Sequence, residues 1–238
     1  MQAYDSITAT HYAAWRPPLH DQLLARALAP NERFRRGLDV GCGTGQSTLA
    51  LAKYCDSVVG IDPSLEMITL AKGSPEVCFL AHREINRGLR KGLAKEVFDI
   101  FTFAGSLHYQ DTNEVLAQIK PIAAPKASIV VYDFDVGLNA VFKELGKLPA
   151  TGDYNHAKNL GGAVASGLQT IHQEEDQLLF SAAPEEVGHL LFSVRDWREG
   201  VLASYDYEVA VHKLRERFGQ RIELAAEIFV TRYLLHKS

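Results

Sequence analysis

Apolar positions in the first half of the chain fall into short runs separated by polar stretches of helical period. Leu38-Asp39-Val40 reads as a short strand stopped by glycines. Gln46 to Tyr54 reads as a helix, with Leu49, Ala50, Ala52 and Lys53 at helical spacing. Val58 to Ile61 is a second buried strand, ending at Asp62-Pro63-Ser64. There Asp62 or Ser64 can cap a helix through Leu65, Met67, Ile68 and Ala71. Val77 to Leu80 predicts a third strand. Phe98 to Phe103 predicts a fourth, continuously apolar as in a strand buried on both faces. Asp111 or Thr112 caps a helix that runs through Val115, Leu116 and Ile119 to Pro121, and Ala127 to Tyr132 predicts a fifth strand. Strand and helix alternating at this spacing argue for a twisted, mostly parallel sheet with helices on both faces.

The pattern breaks after the fifth strand. Gly146, Pro149, Gly152, Gly161, Gly162 and Gly167 punctuate the next stretch. Pro184-Glu185-Glu186 reads as a first helical turn, where proline is tolerated. A helix is expected from Ser204 to Phe218, stopped by Gly219, and a last strand from Ile222 to Leu235. One domain therefore divides into an N-terminal cap (1–35, with a helix over Leu19 to Leu28), a core (36–133), an insertion over the mouth of the sheet (134–218) and a final strand (219–238).

Composition narrows the class. The chain has 238 residues, 47% hydrophobic and 23% charged, with 25 basic against 29 acidic side chains and a net charge of −4. That balance does not suggest nucleic acid as a partner, although Arg83, Arg87, Arg90 and Lys91 form a local basic group. Three cysteines without metal-ligand spacing point away from a disulfide framework and toward a reducing compartment. Neither a signal peptide nor an 18-residue apolar run is visible, so a cytoplasmic location and no membrane span are expected.

The glycine loop Gly41-Cys42-Gly43-Thr44-Gly45 joins a strand to a helix, where backbone can approach a ligand closely. A dinucleotide fold calls for G-x-G-x-x-G; here the third glycine falls one residue early, followed by Gln46 and Ser47. An acid, Asp39, stands two residues before the first glycine, and a second acid, Asp62, closes the next strand.

Leu38 to Ala52 strongly resembles the first motif of class I S-adenosylmethionine-dependent methyltransferases. The resemblance implies that Gly41, Cys42, Gly43 and Gly45 pack on the methionine end of the cofactor. It implies that Asp39 addresses the amino group, often through water, and that Asp62 holds both ribose hydroxyls. Tyr12-Ala-Ala-Trp15-Arg16-Pro17-Pro18 resembles the segment before the core in the type 11 and trans-aconitate methyltransferase groups. It implies a cap in which Arg16 meets the methionine carboxylate, with Tyr12 on the substrate side. Phe98-Asp99-Ile100 to Ser106-Leu107-His108-Tyr109 resembles the fourth-strand motif, which turns the backbone at Ala104 and Gly105 toward the sulfonium. Pro184-Glu185-Glu186 followed by Ser193 is similar to a late helix of these enzymes.

The similarity covers most of residues 10–133 and the remainder in outline. It departs at Pro125-Lys126-Ala127-Ser128, where the family carries a Pro-Gly-Gly turn. After the third strand, Ala81-His82-Arg83-Glu84-Ile85 offers Glu84 as the adenine contact, beside Pro63. Methyl transfer needs positioning, and a base where the nucleophile carries a proton. His108, at the carboxyl end of the fourth strand, is the candidate base, and Tyr109 a candidate for the acceptor pocket. His156, His172 and His189 lie in the insertion without a readable motif, and no residues are assigned to a metal. These features imply a methyltransferase acting on a small molecule. The competing readings are a catalytically silent cofactor-binding scaffold and a nicotinamide-dependent oxidoreductase.

Overall fold

A computed structural model describes residues 5–81, 97–146, 149, 153–161, 167–200 and 202–236. Seven strands form one sheet in the order β3-β2-β1-β4-β5-β7-β6. They are β1 (Phe34–Val40), β2 (Cys55–Asp62), β3 (Val77–Ala81), β4 (Phe98–Ala104), β5 (Ala123–Val136), β6 (Leu168–Ala182) and β7 (Ile222–His236). The first five run parallel. β7 returns antiparallel beside β5, and β6 pairs antiparallel with β7. The helices are α1 (Ser6–Ala14), α2 (His20–Ala27), α3 (Gln46–Ala52), α4 (Leu65–Thr69), α5 (Thr112–Ile119), α6 (Asn139–Glu144), α7 (Pro184–Phe192), α8 (Arg195–Glu199) and α9 (Tyr207–Phe218).

The apolar run of β4 is explained by burial on two sides. Phe101 and Phe103 pack one face with Leu38, Ile129, Val131 and α5 residues Val115 and Ile119. Ile100 packs the other with Val130, Tyr132 and the helix residues Leu23, Leu24 and Leu51. Each such side chain contributes about 1.5–3 kcal/mol by leaving water. A third cluster, including Leu138, Phe142, Leu191, Leu214 and Leu224, gathers α6, α7 and α9 around the start of β7.

Caps follow the sequence closely. Ser64 accepts the Met67 N–H, Asp111 accepts the Glu114 N–H and Asp206 accepts the Val209 N–H. Two elements differ from the pattern. The expected turn at Pro125–Ser128 lies inside β5, where pairing with β4 jumps from Phe98↔Ala123 to Ile100↔Ser128. The extra residues are taken up as an irregularity while Lys126 and Ala127 pair with His236 and Leu235 of β7. The pattern also predicts no strand between 134 and 218, yet β6 supplies fifteen residues to the sheet edge. Its sequence carries Glu174, Glu175 and Asp176, because an outer strand faces water along much of its length. Among the described residues, no helix is long and apolar enough to cross a membrane.

Candidate functional site

Strand order reverses between β1 and β4: the chain moves outward to β3 on one side and to β5 on the other. Ligands of open α/β sheets bind beyond the carboxyl ends of strands at such a point. The glycine loop after β1 and the turn after β4 meet there. Gly41 has φ +77° and lies against Ser106, whose Cβ would sit 2.3 Å from a Cβ added at the glycine. Ser106 Oγ donates to Val40 O at 2.5 Å and locks the two turns together. Gly45 has φ +88°, and its close neighbour is the Phe79 ring. A Cβ added at Gly43 would touch Met67 Cε at 3.4 Å and Tyr12 Cε1 at 3.8 Å, ordinary van der Waals contact.

The two acids of the motif have different surroundings. Asp39 is fully buried. Ser47 and Thr48 donate to its Oδ2 at 2.6 and 2.7 Å, and Thr102 donates to its Oδ1 at 2.7 Å. Burial outweighs these three hydroxyls and holds its pKa above the ordinary carboxylate value. Asp39 thereby ties β1, α3 and β4 together from a fully buried position. Asp62 accepts the Gly43 N–H on Oδ2 at 2.9 Å and the Ser64 N–H on Oδ1 at 2.8 Å. A carboxylate offers about four lone-pair sites, so each oxygen retains capacity for one further donor. Burial raises the Asp62 pKa, against the pull of those two N–H groups. Thr44 Oγ1, within the same loop, is buried without a hydrogen-bond partner among the described residues. An orphaned hydroxyl and a carboxylate with spare capacity fit a polar ligand carrying vicinal hydroxyls.

The N-terminal segment lies across this loop. The Arg16 guanidinium stacks 4.5 Å from the Tyr12 ring centre, and its Nη1 donates to Ser193 Oγ at 3.4 Å. Arg198 fastens α1 from the other side, donating to Asp5 at 2.5 Å and Thr8 at 2.9 Å. His11 and His189 meet through their Nδ1 atoms at 2.9 Å, so one ring donates and the other accepts. Burial lowers the pKa of both.

Beyond the ends of β4 and β5 lies a second cluster. Gly105, with φ +65°, lies close to the Asp133 carboxylate. Tyr154 OH lies 2.5 Å from Gly105 O and 3.0 Å from Asp133 Oδ2, and His156 Nδ1 lies 3.1 Å from that same Oδ2. Burial would lower the His156 pKa, but Asp133 and Asp135 outweigh it and raise it above the ordinary value. His108 stacks on Tyr154 at 4.3 Å, and Tyr109 stands edge-on to both rings. The expected role of His108 as a base does not fit its bonding. The Asn155 N–H donates to His108 Nδ1 at 3.1 Å, so the neutral ring carries its proton on Nε2.

The predicted residues Tyr12, Arg16, Asp39, Gly41, Cys42, Gly43, Gly45, Asp62, Pro63, Ala104, Gly105, His108 and Tyr109 thus cluster around one end of the sheet. Glu84 lies outside the described residues, as do Arg83, Arg87, Arg90 and Lys91. Sequence reasoning missed Asp133 and Tyr154. Its only signal for the group was that Asp133 follows the predicted fifth strand. Among the described residues, no group of three or more His, Cys, Asp and Glu side chains could hold a metal ion.

Residues 38–131 match the type 11 family described as the methyltransferase domain. The probable S-adenosylmethionine-dependent methyltransferase CRG1 of Saccharomyces cerevisiae is 24% identical over 153 residues, 57% of this chain and 51% of that protein. The chain spans about half the length of the curated relatives it matches. Among solved structures, a presumed type II methyltransferase from Anaeromyxobacter dehalogenans superposes with TM-score 0.63 at 18% identity, covering 92% of this chain and 96% of that one. The N-methyltransferase NodS from Bradyrhizobium japonicum WM9, solved with S-adenosyl-L-homocysteine, gives TM-score 0.50 at 16% identity, covering 91% and 85%. The fold is the Rossmann-like class I methyltransferase fold.

Proposed function

We propose that this chain, whose residues 38–131 match the methyltransferase-domain family, passes the methyl group of S-adenosylmethionine to a small-molecule acceptor. It is an S-adenosylmethionine-dependent enzyme, with S-adenosylhomocysteine as product. The observation that carries the donor side is Asp62, whose oxygens hold the Gly43 N–H of the loop and the Ser64 N–H, each retaining room for one ribose hydroxyl. Pro63 follows it on the adenine side, with Glu84 as a further adenine contact. Gly41, Cys42, Gly43 and Gly45 receive the methionine end, Arg16 its carboxylate, and the backbone at Ala104 and Gly105 faces the sulfonium. Tyr12 and Tyr109 stand on the acceptor side. The sulfonium supplies an electrophilic methyl, and this chain's part is to position the acceptor in line with it and to exclude water.

A small acceptor agrees with the net charge of −4 and with the aromatic cluster beside Gly105. A cytoplasmic setting goes with this reading, since Cys42, Cys55 and Cys78 are all free thiols. Calorimetry with S-adenosylhomocysteine tests the proposal: one-to-one binding that is lost in Asp62→Ala is expected. No binding by the native chain refutes it, and binding without turnover on any acceptor favours the scaffold reading.

A further inference from the structure

We infer that His156, oriented by Asp133, is the base that takes a proton from the acceptor, and that the acceptor is a hydroxyaromatic compound. The inference rests on the methyltransferase reading above and adds the acceptor class to it.

The argument starts from which ring nitrogen carries the proton. A neutral imidazole has one N–H and one lone pair, and the partner of each nitrogen decides which is which. At His108, Nδ1 accepts a backbone N–H from Asn155. Its proton is therefore on Nε2, and the ring has no lone pair to offer an acceptor. At His156, Nδ1 faces the Asp133 carboxylate, which only accepts. Its proton is therefore on Nδ1, and the lone pair is on Nε2. That atom stands 3.7 Å from Asp135 Oδ1, beyond hydrogen-bonding reach, on a side chain 29% exposed. Two histidines in one cluster thus hold opposite tautomers, and only His156 can receive a proton.

Position supports the role. Asp133 is half-buried and follows Tyr132, whose carbonyl accepts the Gly105 N–H at 2.9 Å. The pair therefore sits beside the turn that faces the methyl donor. Asp133 is itself fixed: Oδ1 accepts the Phe134 N–H at 2.8 Å, and Tyr154 OH lies against Oδ2. The charged groups that His156 senses are Asp133 and Asp135 on β5, which raise its pKa, and Arg16 on the cap, which lowers it. The walls favour a flat ring. Tyr154 stacks on His108 at a centroid distance of 4.3 Å and meets the His156 ring tilted at 4.4 Å, and Tyr109 is 51% exposed beside them.

The reaction balances in one step. The acceptor O–H bond breaks and its proton moves to His156 Nε2. The oxygen forms the new O–CH3 bond as the S–CH3 bond breaks, leaving its electron pair on sulfur. Positive charge passes from sulfonium to imidazolium, and the proton then leaves to water. A carboxylate acceptor would carry no proton and would need no such base.

The test uses the full chain with S-adenosylmethionine and three acceptor sets: mono- and dihydroxybenzenes, aromatic and aliphatic carboxylic acids, and primary amines. S-adenosylhomocysteine formation is read out for each. Methylation of hydroxybenzenes is expected, with kcat rising as pH passes through the raised His156 pKa. His156→Gln should lower kcat by about 10²–10⁴-fold with the KM for S-adenosylmethionine unchanged. Asp133→Asn should lower kcat less and shift the pH profile to lower pH. On a nitrophenol already ionised at the assay pH, the His156→Gln loss should shrink at least tenfold. An equal loss on both phenols would mean a structural role and overturn the proposal. So would turnover confined to carboxylic acids or amines, or no turnover by a chain that binds S-adenosylhomocysteine. Failure of that binding would instead sink the methyltransferase reading itself. Nitrogen NMR gives a readout without any acceptor: the proton should lie on Nδ1 of His156 and on Nε2 of His108. The reverse assignment at His156 overturns the proposal.

Discussion

The glycine loop, proposed for the donor, and the Asp133 cluster, proposed for the acceptor, are built by different means. Around the glycine loop, backbone does most of the work: positive φ at Gly41, Gly43 and Gly45, N–H groups on Asp62, and a carboxylate sealed under three hydroxyls. Around Asp133, side chains from a later part of the chain meet it: Tyr154 and His156. The first arrangement tolerates little change in residue size. The second tolerates variation in shape but depends on which groups hold protons.

The comparison breaks most visibly at Gly41. Any side chain there meets Ser106 at 2.3 Å with φ at +77°. Left-handed strain of about 1–2 kcal/mol adds to overpacking of about 1–3 kcal/mol. Gly41→Ala should therefore cost about 4 kcal/mol in urea denaturation and abolish S-adenosylhomocysteine binding. A loss below about 1 kcal/mol would show that the loop is not fixed by backbone geometry.

The same contrast explains what could be read in advance. Glycine spacing and the acids Asp39 and Asp62 are local signals, because a tight turn restricts residue type within a few positions. The parallel core was legible for a similar reason: strands such as β4 are apolar on both faces. β6 was not, since Glu174, Glu175 and Asp176 face water and Arg26, and its apolar positions are sparse. The dyad was illegible because Asp133 and His156 are 23 residues apart and meet only once β5 and the following segment are folded. His108 was placed correctly at a strand end, but tautomer depends on a partner, Asn155, that no sequence period reveals.

A second, smaller effect lies in the response to acid. His20 is half-buried against Tyr132, whose hydroxyl lies 3.2 Å from its Nδ1. Burial, with the Arg16 charge, lowers its pKa from 6.5 to about 4. The unfolded chain then binds more protons between those values, so stability is lost as pH falls from 6.5 toward 4. The loss should approach about 3 kcal/mol, at about 1.4 kcal/mol per pKa unit. His20→Gln should flatten this slope when urea midpoints are measured across that range. An unchanged slope would place the acid sensitivity elsewhere.

Asp62→Asn sharpens the donor side at lower cost. The amide keeps one acceptor oxygen but presents an NH2 to either Gly43 N–H or Ser64 N–H. Affinity for S-adenosylhomocysteine should fall by about 1–3 kcal/mol, the scale for leaving buried hydroxyl partners unpaired. Calorimetry showing unchanged affinity would remove Asp62 from the ribose.

The smallest expected effect tests the joint between the two sides. Tyr12 reaches the glycine loop from α1, and α1 is held to the acceptor-side helices by Arg198 on Asp5 and Thr8 and by the His11–His189 contact. Partly exposed ion pairs contribute about 0–1 kcal/mol, and none of these bonds belongs to the sheet. Arg198→Ala should therefore leave global stability within about 1 kcal/mol of the parent. It should nevertheless weaken S-adenosylhomocysteine binding up to about fivefold, because the cap must then be ordered at the moment of binding. Limited proteolysis should cut before Trp15 sooner in the variant, and added S-adenosylhomocysteine should slow that cut. If affinity stays at the parent value while the cap is cut faster, α1 does not cover the donor, and the two sides are joined only through the sheet.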